Sequence, residues 1–153
     1  MTTGITCENI VYRYPGASAA LFQGLSFQLK EPGFNALFGP SGVGKTSLAK
    51  IIVGEIKDFT GAVRADGMNR LLYAYNMERL PDWSSVGKHL DRVSPETAGD
   101  RKGALIEAFG MANYLGRRFS QLSLGQQNRI NLMRYLLQEF ELLIMDESLA
   151  NVD

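Results

Sequence analysis

The stretch GPSGVGKTSLAK, residues 39–50, decides how the rest of the chain is read. Three glycines, a proline, a serine and a valine fill its first six positions, and a lysine and a threonine follow at once. It fits the pattern G-x-x-x-x-G-K-[ST], follows the apolar run FNALF (residues 34–38), and opens a helix-like segment. Glycine permits positive φ and close backbone approach, so several N–H groups can turn toward one point. Pro40 has no N–H, so the donors must come from its neighbours. A helix starting near Lys45 adds unpaired N–H groups and the positive end of its dipole. On this reading Gly39, Ser41, Gly42, Val43, Gly44, Lys45, Thr46 and Ser47 cradle a nucleotide triphosphate. Lys45 supplies a full charge to the β and γ phosphates, and the Thr46 hydroxyl is a hard oxygen ligand suited to Mg²⁺. The bland alternative is a glycine-rich strand-to-helix turn that binds nothing.

Working outward, ITCENIVYRY (5–14) alternates and is β-rich, YPGAS turns it, and LFQGLSFQL (21–29) reads as a second strand. FNALF is a short continuous apolar run, which suits a strand covered on both faces in a parallel sheet. Residues 45–56 read as a helix with Leu48, Ile51, Ile52 and Glu55 at helical spacing. GAVRAD (61–66) and LLYAY (71–75) look like further strands. Residues 81–116 carry more charge and helix-like segments at 86–93 and 100–111, the texture of a small helical insertion in an α/β core. Residues 124–138 read as a strong helix, with Ile130, Met133, Leu136 and Leu137 on one face and Gln127, Arg134 and Gln138 toward the other. ELLIMDE (141–147) is an apolar strand ending in two carboxylates.

The chain has 153 residues, one domain's worth, with 45% hydrophobic and 21% charged residues. Such a length buries about 70% of its unfolded surface without needing disulfides or a structural metal. Sixteen basic residues balance sixteen acidic ones, so the composition argues against a protein built mainly to coat nucleic acid. The single cysteine, Cys7, suits a reducing cytoplasm and a role as a small buried hydrophobe. The first residues do not read as a signal peptide, and no apolar run approaches the ~18–20 residues of a membrane helix.

In a parallel sheet, ligands collect at the carboxyl ends of strands. Asp146 is therefore placed to hold Mg²⁺, and Glu147 to orient and deprotonate an attacking water, as γ-phosphoryl transfer requires. Ser123 and Gly125, in QLSLGQQNR (121–129), sit just before a long helix and would offer a second phosphate-facing helix start. That invites a site shared between two chains. The simpler alternative is a serine N-cap with a glycine beside it.

These stretches together resemble the ATP-binding cassette (ABC) family, the ATPase subunits of ABC transporters. GPSGVGKT resembles the Walker A loop, and LSLGQ the LSGGQ signature with Leu124 in place of its first glycine. LLIMDE resembles Walker B with its catalytic glutamate, SLANVD the D-loop closing on Asp153, and YRYPG the adenine-stacking A-loop, pointing to Tyr14 ahead of Tyr12. The resemblance implies an α/β fold: a P-loop NTPase (RecA-like) core, an antiparallel β subdomain at the N-terminus and a helical insertion. It implies a single domain over 1–153, with the core at 1–80 and 117–153 and the helical subdomain at 81–116. It also implies ATP and Mg²⁺ as cofactors, Glu147 and Lys45 as catalytic, and Thr46, Asp146 and Asn76 around the metal. Tyr14, the loop residues, Asn76, Ser123, Gly125 and Gln126 would contact nucleotide.

The implied partners are transmembrane permease subunits, a second ATPase subunit packed head to tail and a substrate-binding protein, without nucleic acid. The implied place is cytoplasmic, on the inner face of the membrane. ERLPDW, within residues 73–83, resembles nitrate, sulfonate and taurine importers, although Trp83 could equally be core filler. The chain departs from the pattern at Asn76, where the Q-loop has glutamine, at Leu124 and at Ser148. The family's switch histidine and last strands would lie beyond Asp153. His89, the only histidine, falls before the signature and reads as a surface residue. The resemblance implies first an ATP-binding and ATP-hydrolysing subunit of a transporter, most naturally an importer, whose head-to-tail closure on ATP is coupled to transport by membrane partners; a truncated or degenerate nucleotide-binding regulatory module without turnover and a non-transport ABC ATPase are the alternatives.

Overall fold

In the computed structural model, residues 4–30, 32–75, 82–95 and 98–146 are described. Their order is β1 (Gly4–Tyr12), β2 (Phe22–Leu29), α1 (Lys45–Ile52), β3 (Thr60–Asp66), β4 (Leu71–Ala74), α2 (Val86–Val93), α3 (Gly99–Ala108), α4 (Leu124–Leu136) and β5 (Leu142–Met145). They divide into two compact units, Met1–Tyr73 and Ala74–Asp153.

The first unit holds an antiparallel sheet of order β2-β1-β3. β1 pairs with β2 from Ile5↔Leu29 to Tyr12↔Phe22 and with β3 from Gly4↔Asp66 to Val11↔Thr60. The register shifts beside Asn9, which has φ 50° and donates its N–H to Ser26 Oγ at 2.8 Å. Across this bulge the buried apolar positions switch from odd (Ile5, Cys7) to even (Ile10, Tyr12). An extra residue resets which side chains face inward, so β1 keeps an apolar face along its length. Cys7 is 1% exposed, and burial pushes its thiol up to about 11. α1 buries Leu48, Ala49 and Ile51, but it stops at Ile52 rather than 56, because Gly54 at φ 79° turns the chain.

Residues 34–38 do not form the expected parallel strand. Phe34 is 81% and Phe38 89% exposed. A strand covered on both faces needs a hydrogen-bonding neighbour, and among the described residues none pairs with this segment.

In the second unit, Val86 and Leu90 of α2, Met111, Phe119, Leu122, and Ile130, Met133 and Leu137 share one core. This core crosses residue 116, where the helical subdomain was expected to end. α4 also buries Asn128 and Asn131, so it is covered on more than the one apolar face read from its periodicity. Gln127, expected to face outward, donates to the carbonyls of Phe119 (3.3 Å) and Leu122 (3.1 Å). Asp82 Oδ1 accepts from the Ser120 N–H at 2.9 Å, tying the approach to α2 to the approach to α4. Trp83 is exposed rather than core filler, and His89 is half-buried in α2 rather than a surface residue.

Candidate functional site

The loop ahead of α1 is built as a strand of turning amides. Gly42 and Gly44 take φ 81° and 103°, values at which a side chain would be strained. The Val43 N–H donates to the Pro40 carbonyl at 3.4 Å, and the Leu48 N–H makes the first helical bond, to Gly44, at 2.9 Å. No side chain caps the start of α1 and no acid lies in its first turn. Left-handed residues alternating with right-handed ones turn successive N–H groups to one side, which makes a concavity for an anion. The dipole of α1 adds to it.

Lys45, the first residue of α1, folds back over this loop. Its Nζ donates to the carbonyl oxygens of Gly39 (2.9 Å) and Pro40 (3.0 Å). Pro40, which cannot donate, thus serves as an acceptor for the cation. Thr46 is exposed on the first turn, and Ser47, behind it, is buried. The Ser47 hydroxyl is hydrogen-bonded to the hydroxyl of Tyr14. Tyr14 is 48% exposed, whereas Tyr12 is 7% exposed and meets the Tyr14 ring edge-on at 5.2 Å. Of the two tyrosines, Tyr14 is the exposed one.

At the start of α4, Ser123 is the N-cap and closes a capping box with Gln126. The Gln126 N–H donates to Ser123 Oγ at 3.3 Å, and the Ser123 N–H donates to Gln126 Oε1 at 3.0 Å. Both predicted contact residues are therefore engaged with each other, as in the N-cap alternative. Gly125 is half-buried in the same turn, and Leu124 is exposed beside it. Asp146 follows directly on β5 and is half-buried. Asn76, Glu147, Ser148 and Asp153 lie outside the described residues.

One feature of the loop had no signal in the sequence. A Cβ at Gly44 would lie 2.7 Å from Cζ of Phe22, so the start of β2 walls the loop from behind. Residues this far apart in sequence share no spacing that could have announced the contact.

The family description "ABC transporter" matches residues 22–150. The chain is 29% identical to the taurine import ATP-binding protein TauB of Jannaschia sp. (strain CCS1), over 99% of this chain and 62% of that protein. It is 32% identical to the zinc import ATP-binding protein ZnuC of Saccharophagus degradans (strain 2-40 / ATCC 43961 / DSM 17024), over 97% of this chain and 59% of that protein. The chain thus spans less than two thirds of the length of these relatives. A solved ATP-binding subunit of an ABC transporter shares the fold with a TM-score of 0.83 at 20% identity, over 99% of this chain and 69% of that one. The matched stretch covers well over half of the chain, and the chain belongs to the ABC transporter family.

Proposed function

We propose that the chain is the ATP-binding and ATP-hydrolysing part of an ABC importer subunit, closing head to tail with a second subunit on ATP and driving membrane permease partners. The observation that carries this reading is the Lys45 ammonium held over a loop with two left-handed glycines. A cation that satisfies itself on its own loop's carbonyls can exchange them for phosphate oxygens, which are stronger acceptors. Tyr14 would stack on the base. Ser123, Gly125 and Gln126 would reach the nucleotide of the partner subunit once the capping box opens or shares its donors.

Mg²⁺ takes one or two protein oxygens together with phosphate oxygens rather than a cage of its own, so a hydroxyl and a carboxylate are a fitting set. Among the described residues no cluster of three His, Cys, Asp or Glu exists to favour another metal. Thr46 and Asp146, with Asn76, are the proposed ligands, and the ion would neutralise charge on the transferred group. Glu147 is the proposed base. We place the helical part at residues 81–116, continuing through the shared core into α4. Among the described residues no helix is long and apolar enough to cross a membrane, and the proposed place is peripheral, at the cytoplasmic face.

Leu124, 48% exposed where the signature has a glycine, favours a second reading, a nucleotide-binding module without turnover. Titration with Mg-ATP tests the first claim, and phosphate release separates the two readings. Absence of binding at millimolar Mg-ATP would remove both.

A further inference from the structure

Glycines at two positive-φ positions give the loop its shape but also many competing shapes, so something outside the loop must select one. At Gly44 (φ 103°, ψ 15°) a Cβ would lie 2.7 Å from Cζ and 2.8 Å from Cε1 of Phe22, and 2.9 Å from Cδ2 of Leu21. The ring edge therefore occupies the space beside the backbone at the entry to α1. Phe22 is itself fixed. It is buried, opens β2, and pairs with Tyr12 in the sheet, the two rings 6.5 Å apart. The Leu21 N–H donates to the Tyr12 carbonyl at 2.7 Å. Tyr12 meets Tyr14, whose hydroxyl bonds Ser47 one turn into α1. Phe22 thus touches the helix entry at Gly44 and Tyr14 touches α1 at Ser47, and Tyr12 of the sheet lies against both rings.

We propose that Phe22, backed by Leu21, is a positioning residue of the phosphate loop: its ring edge holds the Gly44 backbone so that the loop amides converge before the nucleotide arrives. Close-packed contacts leave little slack for the backbone to shift. A loop ordered in advance spends less of its binding energy on ordering itself. The proposal rests on the nucleotide reading above.

The test uses the full chain and compares Phe22→Leu, Phe22→Met and Ile10→Val. Leucine keeps the site apolar but withdraws the far ring edge, methionine restores reach at similar volume, and Ile10 is a buried β1 residue that serves as a control for stability alone. Well below melting, Phe22→Leu should weaken Mg-ATP binding about tenfold, with methionine recovering most of the loss and Ile10→Val binding like the parent. Amide exchange at Leu48, which donates to Gly44, should quicken in Phe22→Leu and not in Ile10→Val. Parental affinity and exchange in folded Phe22→Leu would overturn the proposal. If that variant does not fold, the half-buried Leu21→Ala carries the same two readings. A parent chain that binds no Mg-ATP would defeat the nucleotide reading, while Leu48 exchange would still decide whether Phe22 holds the loop.

Discussion

The Lys45 ammonium lies 2.9 Å from the carbonyl oxygen of Gly39, the residue that opens the loop Lys45 closes. With the Pro40 carbonyl at 3.0 Å, the cation ties both ends of the loop together. Lys45→Ala should therefore act twice, loosening the loop and removing the charge. Saturation at about a hundred times Kd is worth ~2.7 kcal/mol, so Mg-ATP should raise the parent's melting temperature measurably. The variant should show no shift at the same concentration, and a retained shift would discredit the cradle.

Tyr14 is exposed while its hydroxyl is bonded to that of Ser47. Stacking of a base on an aromatic ring is worth ~1–3 kcal/mol. Tyr14→Phe, which keeps the ring, should bind Mg-ATP within about threefold of the parent, and Tyr14→Ala about tenfold or more weakly. Calorimetric titration of the three proteins checks this. Equal affinity in all three would remove Tyr14 from the nucleotide.

Glu147→Gln should slow turnover by on the order of 10²–10⁴ while keeping ATP bound, because the amide orients water but cannot take its proton. Phosphate release measured beside nucleotide binding reads both. Turnover equal to the parent's would take the role of base away from Glu147.

The Ser123–Gln126 box makes a separate demand on stability. Ser123→Ala leaves the Gln126 amide at the start of α4 without its acceptor and should cost about 1 kcal/mol in urea unfolding, whereas Ser123→Asp should keep the cap. Identical midpoints for parent and alanine variant would mean that the cap contributes nothing.

Asp82 supplies a pH dependence. Its backbone bond from Ser120, then the Ser120 side chain, then the nearby Arg118 charge, hold its carboxyl below the usual carboxylate range. A carboxylate whose folded pKa is depressed contributes stability that is present above the unfolded value. That contribution is lost as pH falls through the folded value. The parent should therefore lose stability below about pH 4 by more than Asp82→Asn does, as thermal melts in a pH series would show. Parallel pH profiles would contradict the assignment.

Much of this arrangement was legible because it is local. The glycine spacing at residues 39–44, the turn after β1 and the serine ahead of α4 each act within a few residues, and their chemistry shows in sequence order. β1 was legible by alternation, although its bulge at Asn9 was not, since a single inserted residue leaves no compositional mark. The segment 34–38 was misread because a fully covered strand is defined by neighbours remote in sequence, and apolar composition cannot report them. The buried Asn128 and Asn131 escaped for the same reason: which amides leave solvent depends on what packs over α4. The contact of Phe22 with Gly44 has no sequence counterpart and emerges only when β2 is laid beside the loop.

The bulged strand β1 carries a built-in reporter. Cys7 is the chain's sole thiol, and burial, which raises its pKa, leaves almost no reactive thiolate in the folded sheet. Alkylation at neutral pH then proceeds only when β1 separates from its neighbours. The labelling rate of one native sulfur, with no engineered probe, becomes a clock for opening of the sheet on which the aromatic ladder stands.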